Sequence, residues 1–296
     1  MTVSIGARTN YSLLLDEKLE HDALTGFLDI DNKYVGEVNG AGQVNIPKFS
    51  VMDGLFDYDK ASGFTAGDLT LTYEQVTLPW DRGVSFTIDR VADENAAMVA
   101  SGNLMDEFFR TKVVPEVDAA RFSAYATAAV TAGNSAAGTL SAGTVLAAID
   151  AAESSIGQVM DPSGCILFVS WDCYAYMKQA AAPRFQPDGD RERNIERFDG
   201  MRVVKVPTAR FGKTVTKDTT NGGLTVTDNI NFLIVAPEAV QQVKKFEIMK
   251  IFTPDENQST DAWLFQTRLH HGAWVLDQKV DGIYAHLISA GGSDES

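Results

Sequence analysis

The spacing of apolar residues changes repeatedly along the chain, and each change marks a different kind of element. Residues 1–32 combine the apolar and acidic run Tyr11-Ser-Leu-Leu-Leu-Asp-Glu-Lys-Leu-Glu-His21 with the turn formers Asp29-Ile-Asp-Asn32, which predicts an arm carrying one short helix. From Tyr34 to Ile88 the period becomes two: Val44, Ile46 and Phe49, then Leu69, Leu71 and Tyr73, then Val84, Phe86 and Ile88. Alternation of this kind predicts half-buried strands, here in an open, hairpin-like excursion. The stretch from Met52 to Gly67 holds too many turn formers for a regular element and reads as the loop at its tip.

Asp93-Glu94 opens a helical segment that runs to about Thr131, with the acidic pair where the helix dipole favours negative charge. At about 1.5 Å per residue such a helix spans roughly 57 Å, longer than a domain of this size is wide, and so acts as a spine. Leu104, Phe108 and Thr111, with Met105 and Phe109, form its apolar stripe, and Asp106, Glu107, Arg110 and Lys112 take the other face. Pro115 removes a helical hydrogen bond at a cost of about 3 kcal/mol, which predicts a kink near Val114.

Gly133 to Gly143 reads as a small-residue linker, and the spacing of Val145, Ile149, Ala152 and Ile156 predicts a helix after it. Buried-strand patterns at Cys165–Ser170, Met201–Val206 and Asn231–Ala236, with a helix from Trp171 to Ala182 stopped by Pro183, predict an α/β unit. Arg184–Arg197 and Lys213–Asp228 are charged and turn-rich and read as exposed loops. After Val240 alternation returns in Phe246, Ile248 and Ile251, in Trp263–Leu269, in Gly272–Leu276 and in Lys279–His286, predicting closing strands without helices. No internal repeat is visible.

A chain of 296 residues can bury a large core without staples. Its formal charge of −15, from 25 basic and 40 acidic residues, argues against a surface built to neutralise phosphates and keeps an abundant protein soluble by repulsion. No long apolar run offers a membrane span, and the N-terminus has no basic stretch leading into an apolar core, so the expected compartment is a cytoplasm. Cys165 and Cys173 stand apart without a second pair, which fits buried thiols better than a zinc site or disulfide framework.

Candidate chemistry is thin. His270 and His271 are adjacent on a predicted strand, so they point to opposite faces and cannot readily share a metal. Asp29-Ile-Asp-Asn32 lacks the later ligands of a calcium loop, and Gly40-Ala-Gly42 lacks the lysine and strand-to-helix context of a phosphate loop. Cys173 has no histidine near it in sequence. No catalytic, cofactor or metal residue is assigned, and the expectation is a protein that is not an enzyme. The order of arm, excursion, spine, α/β unit and closing strands instead suits a tile, because an isolated hairpin is marginal in water and needs neighbours to rest on.

Three segments carry a family resemblance: Gln75-Val-Thr-Leu-Pro-Trp-Asp-Arg-Gly-Val-Ser-Phe-Thr-Ile-Asp89, Phe109-Arg-Thr-Lys-Val-Val-Pro-Glu-Val-Asp-Ala-Ala-Arg-Phe122 and Lys279-Val-Asp-Gly-Ile-Tyr284. Taken in order, they resemble the major capsid proteins of tailed double-stranded DNA bacteriophages. The resemblance implies an α+β fold of the phage Hong Kong 97 type. Its parts would be an N-arm (1–32), an extended β-hairpin E-loop (33–90), the spine helix of the P domain (91–132), an α/β A domain (143–237) and P-domain β strands with the C-terminus (238–296). It implies pentamers and hexamers of the chain itself, a portal protein, a decoration protein as an optional addition, and packaged DNA contacted non-specifically, with no membrane partner and no cofactor. No room is left for a cleaved scaffolding segment, which implies a separate scaffolding protein. The expected location is the virion capsid, assembled in the host bacterial cytoplasm. An encapsulin-like bacterial compartment shell is the alternative within the same fold.

Expected inter-subunit contacts are Lys48, Phe49, Phe56, Tyr58, Trp80 and Arg82 in the excursion, and Arg191 and Arg193 in the charged loop, with hinges at Gly36 and Pro115. A large aromatic such as Trp80 at a turn needs a partner. Relatives that crosslink through lysine and asparagine also need a carboxylate in an apolar pocket; Lys48 and Lys60 alone do not imply that chemistry.

Overall fold

A computed structural model of the chain describes residues 23–28, 43–51, 58, 60, 69–90, 107–180, 195–218, 220 and 222–289, with backbone alone at 43–51, 69–72, 74–75 and 245–249. In chain order the strands are β1 (Gln43–Val51), β2 (Leu69–Thr77), β3 (Trp80–Asp89), β4 (Ser135–Ala137), β5 (Ile166–Ser170), β6 (Arg197–Phe198), β7 (Met201–Val206), β8 (Gly212–Lys217), β9 (Leu224–Val235), β10 (Val240–Phe252), β11 (Ala262–Val275) and β12 (Ile283–Leu287). The α-helices are α1 (Val114–Ala132), α2 (Val145–Gly157) and α3 (Trp171–Ala180). No helix among the described residues is long and apolar enough to cross a membrane.

The described strands form three sheets. β1 and β2 pair antiparallel with each other in a two-stranded ribbon. β10, β11 and β3 make a three-stranded antiparallel sheet. The remaining strands build a seven-stranded sheet in the order β4-β12-β9-β5-β7-β6, with β8 hairpinned onto the first half of β9. Within it β5, α3 and β7 form a βαβ unit, since β5 and β7 are parallel. β5 is buried at every position, as expected of a strand covered on both faces.

The expected α+β class therefore stands, and four assignments within it change. The third strand of the predicted excursion, β3, joins the closing strands: its buried-exposed alternation lays one face on the body, and β11 pairs with its whole length. β12, read as a closing strand beside β10 and β11, returns to the large sheet between β9 and β4, because Ile283 and Ala285 are fully buried there. The Lys213–Asp228 loop is largely the β8–β9 hairpin, whose Thr-Val-Thr alternation is amphipathic. Ile88, which closes the period-two region, lies within β3 opposite Trp263 and is sheet, not the base of the excursion.

The spine is continuous through Pro115. Among the described residues helix geometry is present at Glu107, passes through a π-helical turn at Phe109–Val113 and continues as α1, while residues 91–106 lie outside the described ones. In the wide turn the Val114 N–H donates to the Phe109 carbonyl, five residues back, so the proline enters where the ladder is already shifted. The ring is thus accommodated where the helix widens locally. Gly133 ends α1 at φ 81, its N–H donating to the Ala129 and Val130 carbonyls. The first turns are amphipathic, with Phe109 buried and an exposed Glu107–Arg110 ion pair at 2.8 Å; α1 itself is buried nearly all round.

The main core lies between α1 and the seven-stranded sheet. Phe122 of α1 packs edge-on against Phe168 of β5 (centroids 5.0 Å) and against Phe211 (5.1 Å). A second cluster joins Phe109 and Phe108 to Phe86, Ile88, Phe265 and Trp263, fixing the start of the spine on the three-stranded sheet. Cys165 and Cys173 are free and buried in the main core.

Candidate assembly surfaces

The ribbon of β1 and β2 is the least self-sufficient element. Nine residues at about 3.4 Å each carry it roughly 30 Å, and no third strand joins it among the described residues. Tyr73, which the sequence reading used only as a strand marker, is 68% exposed on it, and Tyr58 beyond β1 is 60% exposed. Lys48 and Phe49 lie in β1 opposite Thr72 and Leu71. Phe56 and Gly36 lie outside the described residues, as do Arg191 and Arg193.

At its base the ribbon is clamped. β2 passes into β3 through Leu78-Pro79, and Leu78 is buried with Val243 among Val76, Trp274 and Leu276. Gly272 of β11 makes room for this bend: a Cβ there would stand 2.9 Å from Leu78 Cδ2 and 3.0 Å from Pro79 Cδ. A ring nitrogen of His270 reaches the Leu78 carbonyl at 3.2 Å. His270 is partly buried and His271 buried on the other face, the opposed arrangement expected for strand neighbours.

The first residues of β3 then tie the body together. Trp80 stacks on His271 (centroids 6.4 Å, 13°), with Lys217 Nζ 4.9 Å from its ring centre. Arg268 donates to both oxygens of Asp81, at 2.8 and 2.5 Å, and this bonding holds the Asp81 carboxyl below its usual range. Arg82 donates to Glu116 of α1 at 2.5 Å and to the Gly223 carbonyl at 3.1 Å. Trp80 and Arg82, expected to face a neighbouring copy, thus have partners inside the chain. Their positions two and four residues after the buried Leu78 were the signal that could have placed them there.

A second anchor was not anticipated. Ala23–Leu28 inserts between α1, β10 and the large sheet. Asp118 of α1, fully buried, accepts from Leu24 N (3.0 Å), Thr25 N (3.2 Å), Thr25 Oγ1 (2.8 Å) and Arg210 (3.1 Å). Arg121, 2% exposed, donates to Thr25 Oγ1 at 2.9 Å, and Gln242 donates to Tyr125 and to the Thr25 carbonyl. Phe27 stacks on Phe168 and lies under Arg202. Burial, then the charges of Arg121 and its neighbours, pushes the His271 imidazole down to about 3, so it is neutral at ordinary pH. The sequence signal is a charged pair, Asp118 and Arg121, set among the alanines and large apolar residues that make up most of α1.

Burial pushes the Cys165 thiol up to about 11 and the Cys173 thiol up to about 12, the reverse of what a nucleophile needs.

No family model matches the sequence, and no curated protein matches it. Solved structures do. The capsid structure of the cyanophage P-SCSP1u is similar at TM-score 0.64 and 14% identity, covering 85% of each chain. A structure from Microbacterium phage Oxtober96 is similar at 0.59 and 13%, covering 86% of this chain and 88% of that one. The bacteriophage PhiM1 mature capsid is similar at 0.56 and 13%, covering 86% and 85%. The fold of this chain is therefore the α+β fold found in phage capsids.

Proposed function

We propose that the chain is the major capsid protein of a tailed double-stranded DNA bacteriophage, assembling into an icosahedral or prolate shell around the genome. The observation that carries this reading is the ribbon of β1 and β2: a two-stranded sheet roughly 30 Å long, clamped at one end and presenting an exposed tyrosine, inside a fold found in phage capsids. Such a ribbon gains stability by lying on another copy. Tyr58, Tyr73, Lys48 and Phe49 contribute to that overlap, and Phe56, Arg191 and Arg193 belong to the same set of proposed contacts.

The mechanism is geometric. Each subunit contacts several neighbours over an area on the scale of obligate assemblies, over about 2,000 Å². The arm upstream of Ala23, leashed by Thr25 to Asp118, reaches a neighbouring copy. Pentamers and hexamers require slightly different subunit shapes, and Gly36, Pro115 with its π turn, and the bend at Leu78-Pro79 absorb the difference. An acidic inner surface gives DNA little to adhere to, consistent with the net charge of −15. A separate scaffolding protein and a portal direct assembly in the host cytoplasm, and a decoration protein is an optional outer layer.

Negative-stain microscopy of the chain expressed alone and with its scaffolding protein tests the reading. Shells or polyheads are expected, and particles from infected cells should contain DNA. A folded single particle under every condition overturns the proposal; shells filled with an enzyme cargo would move it to the encapsulin-like alternative.

A further inference from the structure

β9 serves different partners along its length. Its second half, Ile230–Val235, is fully buried in the seven-stranded sheet between β5 and β12, whereas its first half, from Leu224 to Asn229, pairs with β8. The β8–β9 hairpin therefore projects from the large sheet, and its turn stands roughly 17 Å beyond the positions that β5 and β12 hold. Its inner part rests on α1, where the Ser123 hydroxyl donates to the Lys213 carbonyl. Its outer part is half-exposed or exposed, and among the described residues no third strand joins it.

The root of the β1–β2 ribbon meets that outer end. Gly222 and Gly223 adopt positive φ, 73° and 91°, and the turn they make presents the Gly223 carbonyl to two donors, the Asp218 N–H and Arg82 Nη2, each at 3.1 Å. Arg82 Nε donates at the same time to Glu116 in the first turn of α1. Lys217, the last residue of β8, lies over Trp80. Trp80 and Arg82 follow Leu78, which is buried at the bend over Gly272. One guanidinium thus joins the ribbon root, the helix and the hairpin tip, which its planar fork allows and a lysine ammonium, a single point of donation, does not. Asp81 between them bonds Arg268 of β11, the strand with which β3 already pairs, and so ties β3 to its own sheet.

We propose that Arg82 couples the ribbon to the α/β unit: while the root sits over Gly272 the hairpin tip is held, and a displaced root releases it. The proposal rests on the capsid reading for what displaces the root, the seating of the ribbon on a neighbouring copy. A shift at the Leu78-Pro79 bend moves Trp80 and Arg82 together, because both lie within four residues of it on one strand. The tip is the element that yields, since without Arg82 it keeps the bonds of a two-stranded hairpin, which is marginal in water. Coupling of this kind is reciprocal, so a contact that fixes the hairpin tip also biases the direction in which the ribbon leaves the body.

Amide hydrogen exchange of the unassembled full chain, followed over residues 214–218 and 223–228, tests the link. Arg82→Ala should speed exchange there by about fivefold or more, the ratio that one charged hydrogen bond supplies. Arg82→Lys should shift it in the same direction, because an ammonium does not serve Glu116 and Gly223 together. Asp81→Ala, which breaks a neighbouring pair within one sheet, should leave it unchanged. Gly272→Ala, which presses on Leu78, should also speed hairpin exchange, and should add nothing in an Arg82→Ala background, where the path from the root is already cut. Exchange that stays at the wild-type rate in Arg82→Ala, or that rises equally in Asp81→Ala, overturns the link, as does a Gly272→Ala effect that persists undiminished without Arg82. If Arg82→Ala does not fold, Arg82→Lys carries the same comparisons. Every measurement is made on the single subunit, so an unmoved hairpin overturns the link and leaves the capsid reading, whereas a wild-type chain that never assembles overturns the capsid reading and leaves the link.

Discussion

Replacing Asp118 by alanine should destabilise the subunit far more than a typical surface substitution. The carboxylate is fully buried and accepts from two backbone N–H groups, the Thr25 hydroxyl and Arg210, with Arg121 bonded to the same hydroxyl. Removing it strands the Leu24 and Thr25 amides and takes the anion away from Arg210. Truncating one member of a buried ionic cluster costs about 3–5 kcal/mol, most of it the penalty of what is left unpaired. In a chain of this size each kcal/mol moves the thermal midpoint by about 2–3 °C, so a fall of roughly 6–15 °C is expected for the unassembled subunit. Thr25→Val removes only the bridging hydroxyl and should cost about 1.5–3 kcal/mol. Because both changes act on one network, the double variant should lose at least about 1 kcal/mol less than the sum. Scanning calorimetry of the four proteins completes the cycle. A loss below about 1 kcal/mol for Asp118→Ala, or strict additivity, would refute the claim that this cluster pins the arm.

Three further outcomes follow from the same contacts. Gly272→Ala forces a methyl to within 2.9 Å of Leu78, so it should cost about 1–3 kcal/mol and shift the ribbon relative to β11, read by denaturation and by electron microscopy of assembled shells. His271 binds its proton at about 3 when folded and near 6.5 when unfolded, so the unfolded state takes up more protons between these values. Stability should be complete above pH 6.5 and decline toward pH 3, with a slope of up to about 1.36 kcal/mol per pH unit from this residue, and His271→Gln should flatten the profile in urea titrations. Cys165 and Cys173 should resist a thiol reagent at pH 8 in the native subunit and react fully in denaturant; rapid native labelling would contradict their burial.

Much of the fold was legible because periodicity is local. Val84, Phe86 and Ile88 announce a strand, and β3 is one, with its faces alternating as the letters alternate. Pairing is not local: the same alternation would serve a third strand of the excursion or the third strand of a sheet with β11, and only the whole-length register with Ala262–His271 decides. β12 illustrates the same limit, since Ile283 and Ala285 read as ordinary inward positions whichever sheet receives them. Pro115 shows a different one. The rule that proline disrupts a helix is sound, but whether the chain bends or widens depends on packing around the preceding turn. Here Phe109 is buried against Phe265 and its neighbours, and the turn that starts from it opens to a π register.

The candidate assembly surfaces were the least legible part, for a physical reason. An exposed aromatic is conspicuous only once its surroundings are known, and Trp80 and Trp171 look alike as letters. Trp80 lies two residues after a leucine buried over Gly272, so its ring is drawn onto His271 and beneath Lys217. Trp171 follows a strand whose five residues are all buried and opens a helix whose inward positions are Cys173, Tyr174 and Met177. With those positions filling the core, the helix turns Trp171 outward, and half of the ring stays in water beside Lys205. A side chain of that size left in water at the end of a fully buried strand is an energetic loss for the single subunit.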